Sequence, residues 1–171
     1  MGKSIFLTGA PGSGKTTAIQ KVVSCLTREV SGFITEEVRE GGNREGFKMI
    51  TMDGREGILA HIKLRGVPRI GKYGVDLDAL EELGVNSLRY ALETRTLAIV
   101  DEIGPMEILS ESFRQVLMDL LDGDVDVLGT IVKRSLPFTD RIKALPNVVL
   151  LEIQPGNHDR MVATILKLLQ N

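Results

Sequence analysis

The apolar positions of this chain fall into short continuous runs that alternate with segments of helical period. Residues 4–8 form an apolar, β-compatible run, and from Lys15 onward Ala18, Ile19, Val22, Val23 and Leu26 recur at helical spacing, which predicts strand, tight loop, helix. The next stretch changes character. Residues 32–39, 46–52 and 56–64 read as three short strands separated by Gly41-Gly42-Asn43 and Asp53-Gly54, both strong turn signals. They predict an antiparallel meander inserted into the domain over 32–64. Residues 66–76, with Pro68, Gly71 and Gly74, read as a loop, after which Asp78 and Glu81 form a candidate N-cap pair for a helical region interrupted near Gly84.

Residues 96–100 make a second continuous apolar run, of the kind a strand buried on both faces shows, and it ends in Asp101-Glu102. Ser110 is placed to cap a helix running to Leu121, with Phe113, Val116, Leu117, Leu120 and Leu121 on one side. Residues 125–132 and 148–153 repeat the pattern of apolar run then helix, the last helix covering 157–169. Strands alternating with amphipathic helices predict an α/β fold: a three-layer sandwich with a mostly parallel sheet. No internal repeat, low-complexity tract or linker divides the chain, so residues 1–171 read as one domain.

Composition narrows this picture only modestly. The 171 residues are 43% hydrophobic and 26% charged, enough for a genuine core and against intrinsic disorder. A formal charge of −2 provides no long-range basic field, which speaks against nucleic acid and anionic membranes as partners. Lone Cys25 and the distant His61 and His158 offer neither an internal disulfide nor zinc spacing, so the expectation is a cytoplasmic protein. The first apolar stretch, Ile5-Phe6-Leu7, is far too short for an export signal or a membrane span.

The chemistry lies in Gly9-Ala10-Pro11-Gly12-Ser13-Gly14-Lys15-Thr16, which satisfies G-x-x-x-x-G-K-[ST] between a strand and a helix, the context that makes a P-loop credible. Its glycines let successive N–H groups point at phosphate oxygens, and the helix adds the positive end of its dipole. Lys15 is expected on the β and γ oxygens, and the Thr16 hydroxyl on Mg²⁺. Mg²⁺ then needs a carboxylate from a neighbouring strand end, and Asp101 meets that need. Glu102, just beyond, is placed to orient a water for attack on the γ-phosphate, positioning mattering more than basicity at an ordinary pKa near 4.3.

Other candidates are less specific. Thr130 reads either as a polar sensor of the γ-phosphate or as a merely β-compatible residue. Arg39, Arg69, Lys72, Arg134 and Arg141 are candidate fingers among which the sequence does not choose. Tyr73 and Phe33 read as base-stacking groups or as packing plugs.

Taken together these residues resemble the nucleoside-triphosphatases also described as cancer-related NTPases, first met in thermophiles. Beyond the P-loop the similar segments are Gly32-Phe33, Thr35-Glu36-Glu37-Val38-Arg39, Gly46-Phe47, Tyr73-Gly74-Val75 and, most distinctive, Asp101-Glu102-Ile103-Gly104 followed by Met106-Glu107. The resemblance spans nearly the whole chain. It implies a P-loop fold of the RecA and AAA branch, and slow Mg²⁺-dependent hydrolysis of ATP, GTP, CTP and UTP to diphosphate and phosphate with little base selectivity. It further implies that the nucleotide-contacting segments are the P-loop and Ile99, Val100, Asp101, Glu102, Ile103 and Gly104; separately, the chain is expected to be a monomer. Pro105 departs from relatives that carry Lys there. Two rival functions remain: a nucleotide or nucleoside kinase, and a nucleotide-gated switch for RNA or a protein partner.

Overall fold

In the computed structural model, residues 1–170 are described. They build one nine-stranded sheet, in the order β5-β6-β4-β3-β2-β7-β8-β1-β9, with helices on both faces. The strands are β1 (Ser4–Thr8), β2 (Val30–Glu40), β3 (Asn43–Thr51), β4 (Glu56–His61), β5 (Arg69–Ile70), β6 (Tyr73–Val75), β7 (Leu97–Ile103), β8 (Val127–Ile131) and β9 (Val148–Glu152). The helices are α1 (Lys15–Cys25), α2 (Leu77–Ala79), a π-helical segment (Leu80–Val85), α3 (Asn86–Thr94), α4 (Glu111–Asp122), α5 (Pro137–Lys143) and α6 (His158–Gln170).

Period-two alternation in the central strands makes the three layers. Ile5, Leu7, Leu97 and Ile99 point to one face and pack with Ala18, Ile19 and Val22 of α1 and Ile165 and Leu169 of α6. Phe6, Ala98 and Val100 point to the other and pack with Leu80, Val85, Leu88, Phe113 and Leu117 of the π segment, α3 and α4. The continuous apolar runs are therefore strands buried on both sides.

The sheet is evenly mixed rather than mostly parallel. β2–β7, β7–β8, β8–β1 and β1–β9 pair parallel, while β2–β3, β3–β4, β4–β6 and β6–β5 pair antiparallel. Short turns such as Gly41-Gly42 can join only antiparallel neighbours, so every strand after β2 up to the helical region extends the sheet in that sense. Nor are 32–64 set apart from the core. The first half of β2 pairs with β7 (Val30↔Leu97 to Phe33↔Val100), and its second half pairs with β3 alone. Gly32 makes the first pairing possible, since at φ 107° a Cβ there would lie 2.0 Å from the Ile99 carbonyl oxygen.

Three local expectations change. The third strand of the wing stops at His61, and the segment read as a loop contains the short antiparallel pair β5–β6. The helix after it is capped by Asp76, whose carboxylate accepts from the Ala79 N–H at 3.0 Å, and Asp78 lies in the first turn instead. Gly84 does not interrupt that helix. It sits buried inside the π segment, where a Cβ would press at 3.0 Å on Met49 Sδ, so the widened turn and the missing side chain together let β3 pack closely. Ser110 caps α4 through its hydroxyl, which accepts from the Phe113 N–H at 3.1 Å.

Candidate active site

The P-loop, Asp101, Glu102 and Thr130 converge at the carboxyl ends of the parallel strands, where open α/β sheets place their ligands. The P-loop leaves β1 and enters α1. Gly14 opens the helix in a left-handed conformation (φ 89°), and a Cβ there would lie 2.7 Å from His158 Nε2. That imidazole stands 2.6 Å from the Ser13 carbonyl oxygen, which can only accept, so the ring donates through Nε2. The start of α6 thus props the loop from beneath.

Two strands away, β7 delivers its acids. Asp101 is 2% exposed and is held from three directions: Thr16 Oγ1 donates to Oδ2 at 2.7 Å, Thr130 Oγ1 donates to Oδ1 at 2.6 Å, and the Thr35 N–H donates to Oδ2 at 3.4 Å. Helix α1 and strands β8 and β2 therefore fix one carboxylate jointly. The Asp101–Glu102 peptide bond is cis. Lys15 folds across the loop, donating to the Gly9 carbonyl at 2.9 Å with Nζ 3.7 Å from Glu102 Oε2.

These groups occupy a cavity of ≈ 610 Å³ whose walls include the P-loop, Asp101, Glu102 and Glu107. Burial pushes the Asp101 carboxyl up from its ordinary value, against the Thr130 and Thr16 hydroxyls, the Thr35 amide and the Lys15 charge, which pull it down. Burial likewise raises Glu102; Lys15 opposes the rise and the Asp101 charge adds to it. Glu107 is pushed well above the carboxylate range, by burial first and by the Glu102 charge second. Its Oε1 accepts the Gly104 N–H at 3.1 Å, which fixes the turn after β7. Asp101, Glu102 and Glu107 stand together in this part of the cavity beside Lys15, a concentration of acid suited to a cation.

The donor set fits Mg²⁺. Thr16 and Asp101 bring hard oxygens together at one point, and Mg²⁺ takes one or two such protein ligands and completes its octahedron with substrate phosphates and water. Among the described residues no cluster of three His, Cys, Asp or Glu side chains forms a full protein cage, so the remaining ligands would have to come from elsewhere.

The remaining candidates divide sharply. Thr130 faces Asp101 and donates to its carboxylate, a part distinct from both the phosphate sensor and the merely β-compatible residue it could be read as. Of the candidate fingers only Arg134 lines the cavity. Arg39 pairs with Glu37, Arg69 donates to the Leu64 and Lys72 carbonyls, Lys72 lies over the Tyr73 ring, and Arg141 sits on α5 outside the cavity wall. Phe33 and Tyr73 are packing groups, stacked edge-on against Phe113 and Phe47. Ile99, Val100 and Ile103 are fully buried strand residues that carry the acids rather than touch the cavity, and Gly104 is buried behind Glu107.

Sequence reading did not single out Arg44, Leu59, Ile70 and Lys133 as cavity residues. The signal for the first three is cross-strand register, which no local pattern carries. Glu107 was visible only as part of a similar segment.

A family model described as NTPase matches residues 4–166. The chain is 51% identical over 166 residues to the nucleoside-triphosphatase THEP1 of Thermotoga petrophila, covering 97% of this chain and 92% of that protein. Among solved structures, the crystal structure of THEP1 from the hyperthermophile Aquifex aeolicus superposes with TM-score 0.90 at 38% identity, covering 98% of this chain and 99% of that one. The solution structure of a human cancer-related nucleoside triphosphatase follows at TM-score 0.83 and 34% identity, covering 98% and 97%.

Proposed function

The chain belongs to the nucleoside-triphosphatase family, and from that premise we propose that the P-loop and the acids of β7 hydrolyse nucleoside triphosphates to diphosphate and phosphate with Mg²⁺. The observation that carries the reading is the Thr16–Asp101–Thr130 bridge, which brings the P-loop helix, the acid strand and the strand between them to one point.

Each residue then has a part. Backbone amides of Gly12, Ser13, Gly14 and their neighbours cradle the phosphate chain, and Lys15 releases the Gly9 carbonyl to neutralise the β and γ oxygens. Thr16 and Asp101 would hold Mg²⁺, which would offset charge on the phosphate oxygens. Glu102 orients the attacking water and accepts its proton; its raised pKa makes it a better base than a free carboxylate. Arg134, one of two cavity-lining guanidiniums and the one not committed to Glu37 and Tyr73, is placed to stabilise charge in the transition state. A P-loop fold of the RecA and AAA branch is supported by the interposition of β8 between β1 and β7. Slow turnover and broad acceptance of ATP, GTP, CTP and UTP follow from the resemblance, a cytoplasmic setting follows from the lone Cys25, and the protein acts as a monomer. Among the described residues no helix is long and apolar enough to cross a membrane.

The test is phosphate release from each of the four triphosphates with no acceptor present. Comparable rates on all four, abolished by a chelator and restored by Mg²⁺, are expected. No release without an acceptor would replace hydrolysis by obligate transfer.

A further inference from the structure

The cavity is larger than the phosphate machinery requires. Neighbouring strands stand about 4.8 Å apart, so the two steps from β1 to β7 span about 10 Å, and the three further steps through β2 and β3 to β4 add about 14 Å. The cavity follows the whole path. Past Glu102 its walls are Arg44 and Phe47 of β3, Leu59 of β4, Ile70 of β5 and Met106.

In phosphoryl transfer the attacking and leaving oxygens lie in line on opposite sides of phosphorus. The leaving diphosphate and its nucleoside stay with the P-loop, and Glu102 marks the side from which the nucleophile comes. The outer compartment is on that side. We propose that this compartment, bounded by Arg44, Phe47, Leu59, Ile70 and Met106, binds a neutral planar alcohol whose hydroxyl takes the place of water, so that the protein transfers phosphate as well as releasing it. The inference rests on the hydrolytic reading above, because it uses the same phosphate grip and the same carboxylate.

The ligand class follows from the wall. Phe47 presents an aromatic surface half open to the cavity, braced edge-on by Tyr73 at 5.3 Å between ring centres, and Leu59, Ile70 and Met106 are apolar. That favours a flat, weakly polar body. The one cation, Arg44, is already engaged: it donates to the Tyr73 hydroxyl at 2.9 Å and to Glu37 at 3.3 Å and lies 5.2 Å from the Phe47 ring centre. A phosphorylated acceptor would need a free cation there and would meet the carboxylates of Glu36 and Glu37 instead. The step balances: the acceptor O–H bond breaks, its proton passes to Glu102, a new O–P bond forms, and the bond from γ-phosphorus to the bridging oxygen breaks to release diphosphate.

The test follows γ-phosphate from ATP·Mg²⁺ by ³¹P NMR with adenosine, thymidine, pyridoxine or benzyl alcohol as probe, and with AMP as the charged comparison. At least one neutral alcohol is expected to give a phosphomonoester with ADP forming faster than in its absence, while AMP gives none. Phe47→Ala should raise the KM for that alcohol about tenfold, the scale of one lost aromatic contact with its buried area. Ile70→Trp, which fills the compartment, should abolish transfer. Acceptor-free phosphate release should stay unchanged in both. Inorganic phosphate as the only product with all four alcohols overturns the inference and leaves hydrolysis standing. Loss of release without acceptor in the unmodified protein would instead remove the reading beneath it. A rise in the KM for ATP in Phe47→Ala would assign the compartment to the nucleotide's own base and overturn the acceptor.

Discussion

At one end of the cavity β1, β7 and β8 bury Thr8, Asp101 and Thr130, whereas at the other β3, β4 and β5 present apolar and aromatic groups around a single guanidinium. The parallel half is cross-braced. Asp101 alone is tied to a helix and two strands, and Val100 and Thr130 beside it are fully buried. The antiparallel wing is anchored on one face by apolar residues such as Met49, Leu59 and Val75, and its charged groups lie in exposed ion pairs such as Arg39–Glu37 and Lys63–Glu40, each contributing little. Fixed electrostatics needs support from several elements at once, while a wall that only recognises shape does not. The two regions should therefore answer mutation very differently.

The largest effect belongs to the braced half. Glu102→Gln keeps the size of the side chain and loses its ability to take a proton, so single-turnover phosphate release should fall about 10²–10⁴-fold. ATP binding should persist. Unchanged release would move the nucleophile's partner elsewhere and dissolve the contrast between the two ends.

Lys15→Ala comes next. It removes a charge-assisted contact that backbone amides do not replace, and ATP affinity measured by calorimetry should drop on the order of 10–100-fold. A loss no greater than that from Phe47→Ala would mean the wing, not the P-loop, grips the phosphates.

Stability sharpens the comparison further. Thr130→Val leaves Asp101 Oδ1 buried without its donor, a cost of about 1–3 kcal/mol, and each kcal/mol lowers the Tm of a chain this size by about 2–4 °C. Substitutions at exposed wing positions such as Ile58 should shift it much less.

The smallest effect is one of pH. In the folded protein Glu107 holds its proton well above the ordinary range, and the unfolded chain releases it near pH 4.5. Between those two values the unfolded state binds fewer protons, so stability falls as pH rises through this window and levels off above the folded pKa. Glu107→Gln removes that slope. Its Tm should exceed that of the parent at pH 8 and approach it at pH 4, by thermal melts of the nucleotide-free protein. Parallel curves for the two proteins would show that Glu107 ionises freely in place.

The same contrast explains what could be read from the sequence. The P-loop and Asp101-Glu102 are contiguous segments whose glycines, lysine and acids sit at strand ends announced by apolar runs, so their convergence was legible before any coordinates. Strand pairing was not. Whether 32–64 stands apart from the sheet or extends it depends on β2 pairing parallel along its first half and antiparallel along its second, and nothing in a single strand's alternation encodes its neighbours. Bulges between Val38 and Arg39 and between Phe47 and Lys48 then decide that Phe47 stands opposite Glu37 and Ala60. The outer wall of the cavity is a product of that register. Arg44 was overlooked for the same reason, whereas Arg39, five positions earlier, carried the same chemistry on paper and turned out to serve Glu37. The π segment escaped notice because Gly84 looks like a helix breaker until β3 is seen to pack against it.

In the proposed mechanism two separate strands hold one Mg²⁺-bound triphosphate between them. Titrating ATP calorimetrically with and without Mg²⁺, into the unmodified protein and into Asp101→Asn, tests this directly. Mg²⁺ should tighten ATP binding to the parent, and the substitution should abolish that gain while leaving metal-free ATP affinity intact. An equal Mg²⁺ effect in both proteins would contradict it.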